Sequence, residues 1–450
     1  MTQVLVVLDT SVMNVALPSA RADLGLSEVG TSWVALAYTV GFAGTLLAGA
    51  RLADAFGCER VLAWSVIVFT LASGGGGLAP DGEVLIAARA VQGVCAAVAS
   101  PATFTLLTVA FPEGPSRIRA VAIWTGASLA GGGAGNVLSG LLTEYVSWRA
   151  VLLINLPIGI AIAVGAFALD RKRDTAPRGH VDLPGTVLVT GVFTAAAVAV
   201  SSLEPGGYLM IGTAAGSVAL VLLLVLLGQQ RRARVPLVPW RLWRNRAVVA
   251  GNGATLLAGA CFQVAIWYFL SFTLQRDHSY SAAVTGIAFL PLTVTMLAVS
   301  TWAAPRLLRR FSVRAVAASG ALVAAAGFAA QAAVLGTGDL GTLLAPSLLI
   351  GIGGGLLNTP LATAVTGGVE RADAGAASGL MNTSKQFGGS IGLAALAALP
   401  ADPGSHTAFI AMSLLITAAG AASLIIPSQT RGPASRETRG GFTMEPDADY

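Results

Sequence analysis

The chain has 450 residues, of which 55% are hydrophobic and 11% are charged, and its mean hydropathy is +0.74. A soluble domain carries about a quarter charged residues, so this composition excludes a soluble protein and indicates a chain solvated by a lipid bilayer. The 27 basic and 22 acidic residues lie mostly between apolar runs, which indicates membrane topology rather than nucleic-acid binding.

Apolar runs long enough to cross the hydrocarbon core as helices, about 20 residues each, recur along the whole chain. The first is short and begins at the initiator Met, so we expect either a true start upstream or a helix with few residues at its cytoplasmic end. We predict an all-α integral membrane fold with fourteen transmembrane helices, at residues 3–18, 31–50, 61–79, 84–107, 119–142, 151–169, 183–203, 207–228, 247–273, 284–304, 315–335, 341–366, 376–399 and 406–427.

The basic residues in the loops test this count, because cytoplasmic loops are enriched in Lys and Arg. With the N-terminus in the cytoplasm, 22 of the 27 basic residues fall on the cytoplasmic side and three on the other. The asymmetry predicts a multi-pass protein of the cell (inner) membrane, with both termini in the cytoplasm.

The order of the predicted helices suggests two related halves. Arg306–Phe311 echoes Arg51–Phe56 at the second-to-third connection of each half, once two central helices are set aside. Related halves are typical of alternating-access transporters. We therefore predict a six-helix half at 1–170, a cytoplasmic linker at 171–182, two inserted helices at 183–228, a basic cytoplasmic loop at 229–246, a second six-helix half at 247–427 and a disordered cytoplasmic tail at 428–450.

Three charged residues lie inside apolar runs: Asp9 in the first predicted helix, Arg89 in the fourth and Lys385 in the thirteenth. A buried charge in a membrane costs at least a few kcal/mol, so each needs a reason. The functional interpretation makes Asp9 the proton site and Arg89, with Gln92 one turn away, its electrostatic modulator. A purely structural salt bridge is the alternative.

The connection between the second and third helices carries Arg51, Asp54, Gly57 and Arg60. An acid at a helix end, a tight glycine turn and flanking arginines can form a charge latch that biases a rocking motion. An ordinary positive-inside loop is the alternative.

The fifth predicted helix is rich in small residues, including Gly131, Gly135 and Gly140, and it carries the polar Asn136. Small residues four apart let helices approach closely, so this helix is expected at a moving interface or in plain helix packing.

Amides and aromatics inside other predicted helices are candidates for lining a substrate cavity. A wide apolar cavity with few polar anchors suits amphipathic or cationic organic compounds, although each residue is equally consistent with helix–helix contacts. The candidates are Asn14, Tyr38, Gln92, Trp124, Gln263, Trp267, Asn358 and Gln386.

Several of these motifs resemble the major facilitator superfamily, and specifically its fourteen-helix drug:proton antiporters. The resemblance covers nearly the whole chain. Leu8–Pro18 resembles the first-helix motif, Arg51–Arg60 the signature loop, and Arg89–Gly93 the fourth-helix motif whose Arg is linked to proton transfer. Trp148–Arg149 and Asn155–Pro157 resemble a stretch that follows the fifth helix in this branch.

The fifth helix departs from the family pattern, which carries Gly-Pro and then Gly-Gly. Gly135-Asn136 and Ser139-Gly140 stand at the corresponding positions, and the signature loop begins with Ala50 where Gly is usual. The missing Pro bears on the direction of transport, and the chain is interpreted as a divergent member specialised for one substrate.

The resemblance implies export of a drug, antibiotic or secreted metabolite in exchange for protons, by a single subunit that needs no cofactor beyond the proton gradient. Import or uniport of a small nutrient remains an alternative. A membrane-embedded transferase would need a cluster of acids, histidines or metal ligands near one interface, and the sequence offers none. We therefore predict a drug-resistance type of transporter rather than an enzyme, with a small molecule, protons and the bilayer as partners.

Overall fold

The computed structural model describes residues 1–111, 115–168, 182–202, 209–233, 239–336, 339–367, 369, 373–399 and 406–427, and these residues are helical with short connections and no β-strand. Most of the predicted linker at 171–182 and all of the predicted tail at 428–450 lie outside these ranges. The helices are α1 (Thr2–Leu24), α2 (Glu28–Phe56), α3 (Cys58–Gly77), α4 (Gly82–Ala110), α5 (Pro115–Tyr145), α6 (Ala150–Leu153), α7 (Asn155–Ala168), α8 (Leu183–Ser201), α9 (Leu209–Arg232), α10 (Trp240–Arg244), α11 (Arg246–Phe262), α12 (Ala265–Phe272), α13 (Ala282–Ala288), α14 (Leu290–Ala298), α15 (Ala304–Arg310), α16 (Val313–Val334), α17 (Leu340–Thr366), α18 (Ala374–Ala397) and α19 (His406–Leu424).

Polar caps set several helix starts. Side-chain oxygens of Ser27, Asp81 and Asn245 accept backbone N–H groups of the first turns of α2, α4 and α11, which have no partner within the helix. Asp339 caps α17 in the same way, and the N–H and hydroxyl of Thr342 hold the pKa of its carboxyl below the ordinary value. The helix ends are therefore encoded locally.

The first helix is longer than predicted. Pro18 and the charges that follow it suggest an end near residue 18, but α1 continues to Leu24 and stops at Gly25, whose φ of 61° is left-handed. Arg21 and Asp23 lie at this end of the helix, where side chains reach water, so they do not interrupt it. The predicted 16-residue span was too short.

Three predicted single spans are interrupted. The sixth is divided at Ile154 into α6 and α7, just before Pro157, which cannot donate a hydrogen bond to the carbonyl of Leu153. The ninth is divided between α11 and α12 and ends in a π-helical turn, and the tenth is built from α13, α14, a π-helical turn and α15. Hydropathy cannot locate such breaks because the residues on both sides are equally apolar.

The basic loop predicted at 229–246 is also partly helical where it is described. Helix α9 continues to Arg232, and the short α10 occupies Trp240–Arg244.

Ten helices in the part of the chain that the structure describes are long and apolar enough to cross a membrane, and two shorter apolar helices cover Ala150–Ala166 and Pro184–Val200. Helices α1 to α7 pack on one another, and α11 to α19 form a second bundle. Helix α8 lies against both, since Val189, Val192 and Phe193 share a core with Val40 and Ala43 of α2, and Phe387 of α18 packs against it. The fold is a multi-pass helical membrane fold.

Candidate functional site

A buried ion pair lies in the first bundle. The guanidinium of Arg89 on α4 donates to the carboxylate of Asp9 on α1, with 2.6 Å between Nη1 and Oδ2. Asp9 is 0% and Arg89 2% exposed, so neither charge reaches water or lipid headgroups. A charge pair this deep is stable only if its remaining hydrogen-bonding capacity is also satisfied.

Two amides complete the surroundings of the carboxylate. The side-chain amides of Gln92 and Asn155 both donate to Oδ1 of Asp9, at 2.9 Å and 2.7 Å. Gln92 also accepts from Arg89 at 3.0 Å. The same two amides donate to the hydroxyl of Ser73, which in turn donates to the carbonyl of Leu152. Four helices, α1, α3, α4 and α7, therefore each contribute a side chain to one buried network.

The interruption between α6 and α7 positions Asn155. The residue is the first of α7 and is fully buried, and the carbonyl of Leu152 in the preceding turn is the one that Ser73 reaches at 2.9 Å. An unbroken helix would place this carbonyl in its own hydrogen-bond ladder, so the break before Pro157 makes it available to Ser73.

An aromatic face covers the guanidinium. The Tyr38 ring on α2 lies with its centroid 4.4 Å from the Arg89 guanidinium carbon, within the range of a cation–π contact. Gly93, one turn along α4, allows this approach, because a side-chain carbon at that position would collide with the Tyr38 carbonyl. Among the described residues, Arg89 Nε and Asn155 Oδ1 have no hydrogen-bond partner. Some polar capacity of the network is therefore left open for rearrangement.

The charges of Asp9 and Arg89 lie close enough for each to depend on the other. With Asp9 ionised, three donors hold it and the Arg89 charge is balanced. A proton on Asp9 would remove the balancing charge and one acceptor site, and the buried guanidinium would then favour a different environment.

Small residues on α5 create two close helix contacts. A side-chain carbon at Gly135 would lie 3.0 Å from Cβ of Ser11 on α1, and Gly131 lies against Val4. On the opposite face, a side-chain carbon at Gly286 of α13 would lie 2.5 Å from the Asn136 carbonyl. Gly140 is packed in the same way against α13, at the backbone of residues 282 and 283. The glycines of α5 thus join the bundle containing Asp9 to the second bundle.

Polar contacts between the bundles lie at the end where α1 meets α2. Gln275 donates to the carbonyl of Val15 at 2.9 Å, and Glu28 pairs with Arg276 at 3.8 Å. The carboxylate of Glu144, at the end of α5, accepts from the backbone N–H of Ala283 at 2.8 Å and so caps α13 from across the interface. The two bundles are fastened together at this end.

The remaining predicted site residues are dispersed. The side-chain amide of Gln263, just after α11, donates to that of Gln386 on α18 at 2.7 Å. The Trp267 indole donates to the backbone carbonyl of Phe262. Asn14 is half-buried and Asn358 is exposed. The structure therefore does not bring all the predicted cavity residues to one place.

The predicted latch is described only at its turn. Gly57, with a φ of 90°, is the single residue between α2 and α3, and Arg60 is exposed. The side chains of Arg51, Asp54 and the cavity candidate Trp124 lie outside the described part of the structure.

Sequence reasoning missed the contributions of Ser73 and Asn155 to the network. Asn155 carried a signal, since a polar amide before a proline in an apolar run needs a partner. Ser73 carried none, because serines in membrane helices usually bond to their own backbone.

A bundle of membrane-crossing helices in two packed groups, fastened at one end and holding a buried ion pair, is the architecture of a membrane transporter. A family model described as Major Facilitator Superfamily matches residues 1–393, and the chain belongs to this family. It is a transporter and not an enzyme.

The relatives that the chain resembles are exporters and resistance proteins. It is 45% identical over 445 residues to a cephamycin export protein of Amycolatopsis lactamdurans, covering 95% of this chain and 91% of the relative. It is 37% identical over 400 residues to a puromycin resistance protein of Streptomyces alboniger, covering 88% and 79%. These relatives place the chain among the efflux transporters of the superfamily.

Solved structures agree on the fold. A bacterial homologue of the human lysosomal transporter Spinster, in an inward-facing and unoccupied conformation, aligns with a TM-score of 0.66 and 16% identity. The alignment covers 94% of this chain and 95% of that protein.

Proposed function

We propose that the chain exports a small amphipathic organic compound of antibiotic type in exchange for protons, by alternating access. The similarity to a cephamycin exporter over 95% of the chain supports a cephamycin as the first substrate to test, and puromycin as the second. The proton gradient supplies the driving force, and no further cofactor is needed.

The observation that carries this proposal is the buried carboxyl group of Asp9, which accepts hydrogen bonds from Arg89, Gln92 and Asn155. Losing one partner of a buried ion pair costs about 3–5 kcal/mol, so a proton on Asp9 would make the present arrangement unfavourable by a similar amount. Since 1.4 kcal/mol is about a tenfold change in an equilibrium constant, one proton can shift a two-state equilibrium by about two to three and a half powers of ten. That is enough to couple protonation to rocking of the bundles.

The topology is part of the same proposal. We propose fourteen membrane-crossing runs, counting α6 with α7, α11 with α12, and α13 to α15 as one each and leaving out the five-residue α10. We propose two halves at 1–170 and 247–427, with 183–228 as inserted helices, acting as a monomer in the inner membrane with both termini cytoplasmic. Gly131, Gly135, Asn136 and Gly140 form the sliding contact, and the loop from Arg51 to Arg60 acts as the latch at the cytoplasmic face.

Everted membrane vesicles with an acidic lumen test the coupling directly. A pH-sensitive dye trapped in the lumen should report alkalinisation when a cephamycin is added, because export into the lumen releases protons to the bath. Vesicles with Asp9→Asn, inserted at the parent level, should show none, and empty vesicles correct for passive permeation. Accumulation that persists after the pH difference and the voltage are collapsed would contradict proton exchange.

The importer or uniporter alternative gives a different result in the same vesicles. A uniporter would equilibrate labelled compound without any change in lumen pH. A proton-coupled importer would carry compound and proton in the same direction, so compound added to the bath would acidify the lumen. Neither pattern is expected here.

A further inference from the structure

A second cavity lies away from the Asp9 network, where the inserted helix α8 meets the second bundle. It has a volume of about 360 Å³ and is walled by α8, α11 and α18, with Trp243 of α10 at one side. Small-molecule sites in proteins begin at about 300 Å³, so this space is large enough for a compact organic compound. No residue that lines it is charged.

The lining carries two buried polar atoms that have no partner among the described residues. Asn252 is 8% exposed and its amide N–H bonds to the Val248 carbonyl of its own helix, which leaves Oδ1 without a donor. Thr383, 6% exposed, has a hydroxyl with no hydrogen bond. Leaving such a group unsatisfied costs about 1–3 kcal/mol, which a ligand carrying a hydrogen-bond donor would recover.

Aromatic side chains make up much of the remaining wall. Phe193 on α8 and Phe387 on α18 stack with centroids 4.1 Å apart, and they line the cavity together with Leu256. Aromatic walls favour flat rings through offset or edge contacts. The absence of charge in the lining disfavours an ionic ligand, since its desolvation would not be compensated.

We propose that this cavity is a binding site for neutral aromatic compounds that carry a hydrogen-bond donor, held between the inserted helix α8 and the second bundle. The inference rests on the proposed export function, because it adds neutral aromatic compounds to the substrates proposed above. It also gives α8 a role, as the wall that closes this site.

The probe for the test is N-phenyl-1-naphthylamine, which is neutral and aromatic and has one N–H donor. Trp243 lines the cavity and can transfer excitation energy to this probe. The energy transfer that comes from Trp243 is measured as the difference between the full chain and its Trp243→Phe variant, both in phosphatidylcholine nanodiscs. The site is filled by Gly253→Leu. A side-chain carbon at Gly253 meets no atom within 4 Å, so the change adds bulk to the cavity without a backbone clash.

Gly165→Leu is the matched control, because Gly165 on α7 is equally open and lies outside the cavity. We expect energy transfer to saturate with probe concentration in the parent and in Gly165→Leu. In Gly253→Leu the affinity for the probe should fall at least fivefold. Thr383→Val keeps the shape and removes the acceptor, so its affinity should be about fivefold weaker.

Two results would overturn the proposal. One is equal transfer in the parent and Gly253→Leu. The other is transfer that rises linearly with probe and never saturates while brominated phosphatidylcholine quenches Trp243, which would assign the cavity to a lipid chain. The vesicle assay for proton exchange uses neither the probe nor these variants, so failure of the export proposal would be seen separately.

Discussion

Removing the charges of Asp9 and Arg89 singly and together separates their structural contribution from their part in coupling. Asp9→Asn leaves the guanidinium of Arg89, 2% exposed, without a counter-charge, and Arg89→Gln leaves the carboxylate without its cation. Each single variant should therefore lose about 3–5 kcal/mol of stability. The double variant should regain most of that loss, because replacing both partners by neutral groups of similar shape is close to neutral.

Unfolding in mixed micelles with increasing dodecyl sulfate measures the free energy of unfolding of the parent, the two single variants and the double variant. The vesicle assay measures the coupling of proton movement to export. We expect an interaction energy of several kcal/mol between the two positions, which lies above the few tenths found for independent sites. Proton-driven export should be absent in all three variants, including the stable double variant. Additive stability losses would refute the buried pair, and export by the double variant would refute its part in coupling.

Three further changes probe the surroundings of this pair. Asn155→Leu removes two donors from the network, so the protein should lose about 1–3 kcal/mol in the same unfolding titration and export more slowly; parent-like stability would contradict the contacts. Gly286→Val forces a side chain onto the Asn136 carbonyl, where a carbon would lie 2.5 Å away, and should lower the melting temperature and spread α5 from α13, as spin-label distances would reveal. Glu144→Ala removes the carboxylate with which α5 caps α13 at Ala283. A cysteine introduced at that end of the bundles should then be labelled faster. An unchanged labelling rate would show that the cap does not hold the bundles together.

Hydropathy predicts most of the fold, since long apolar runs and their charged ends coincide with the observed helices. It fails within α6 and α7 and within α13 to α15, where proline and local backbone geometry interrupt helices that remain apolar on both sides. Composition indicates whether a helix is surrounded by lipid or by water, but it does not show where the helix is interrupted.

The site was predictable only in part. The cost of burying charge predicted that Asp9 and Arg89 needed partners, and the structure brings them together at 2.6 Å. The sequence indicates that Asn155 needs a partner, but the partners of Asn155 and Ser73 could not be predicted, because their contacts depend on how α3 and α7 cross α1. The roles of these residues in proton coupling stay predictions.

The one-residue turn at Gly57 has a consequence for motion at the opposite face of the membrane from the α1–α2 connection. With α2 ending at Phe56 and α3 starting at Cys58, almost no slack chain separates the two helices, and a φ of 90° is accessible mainly to glycine. A tilt of α2, which carries Tyr38 over the Arg89 guanidinium, would therefore pull on the start of α3, whose far end carries Ser73. Gly57 is thus the single covalent joint through which the helix that covers Arg89 and the helix that carries Ser73 are linked.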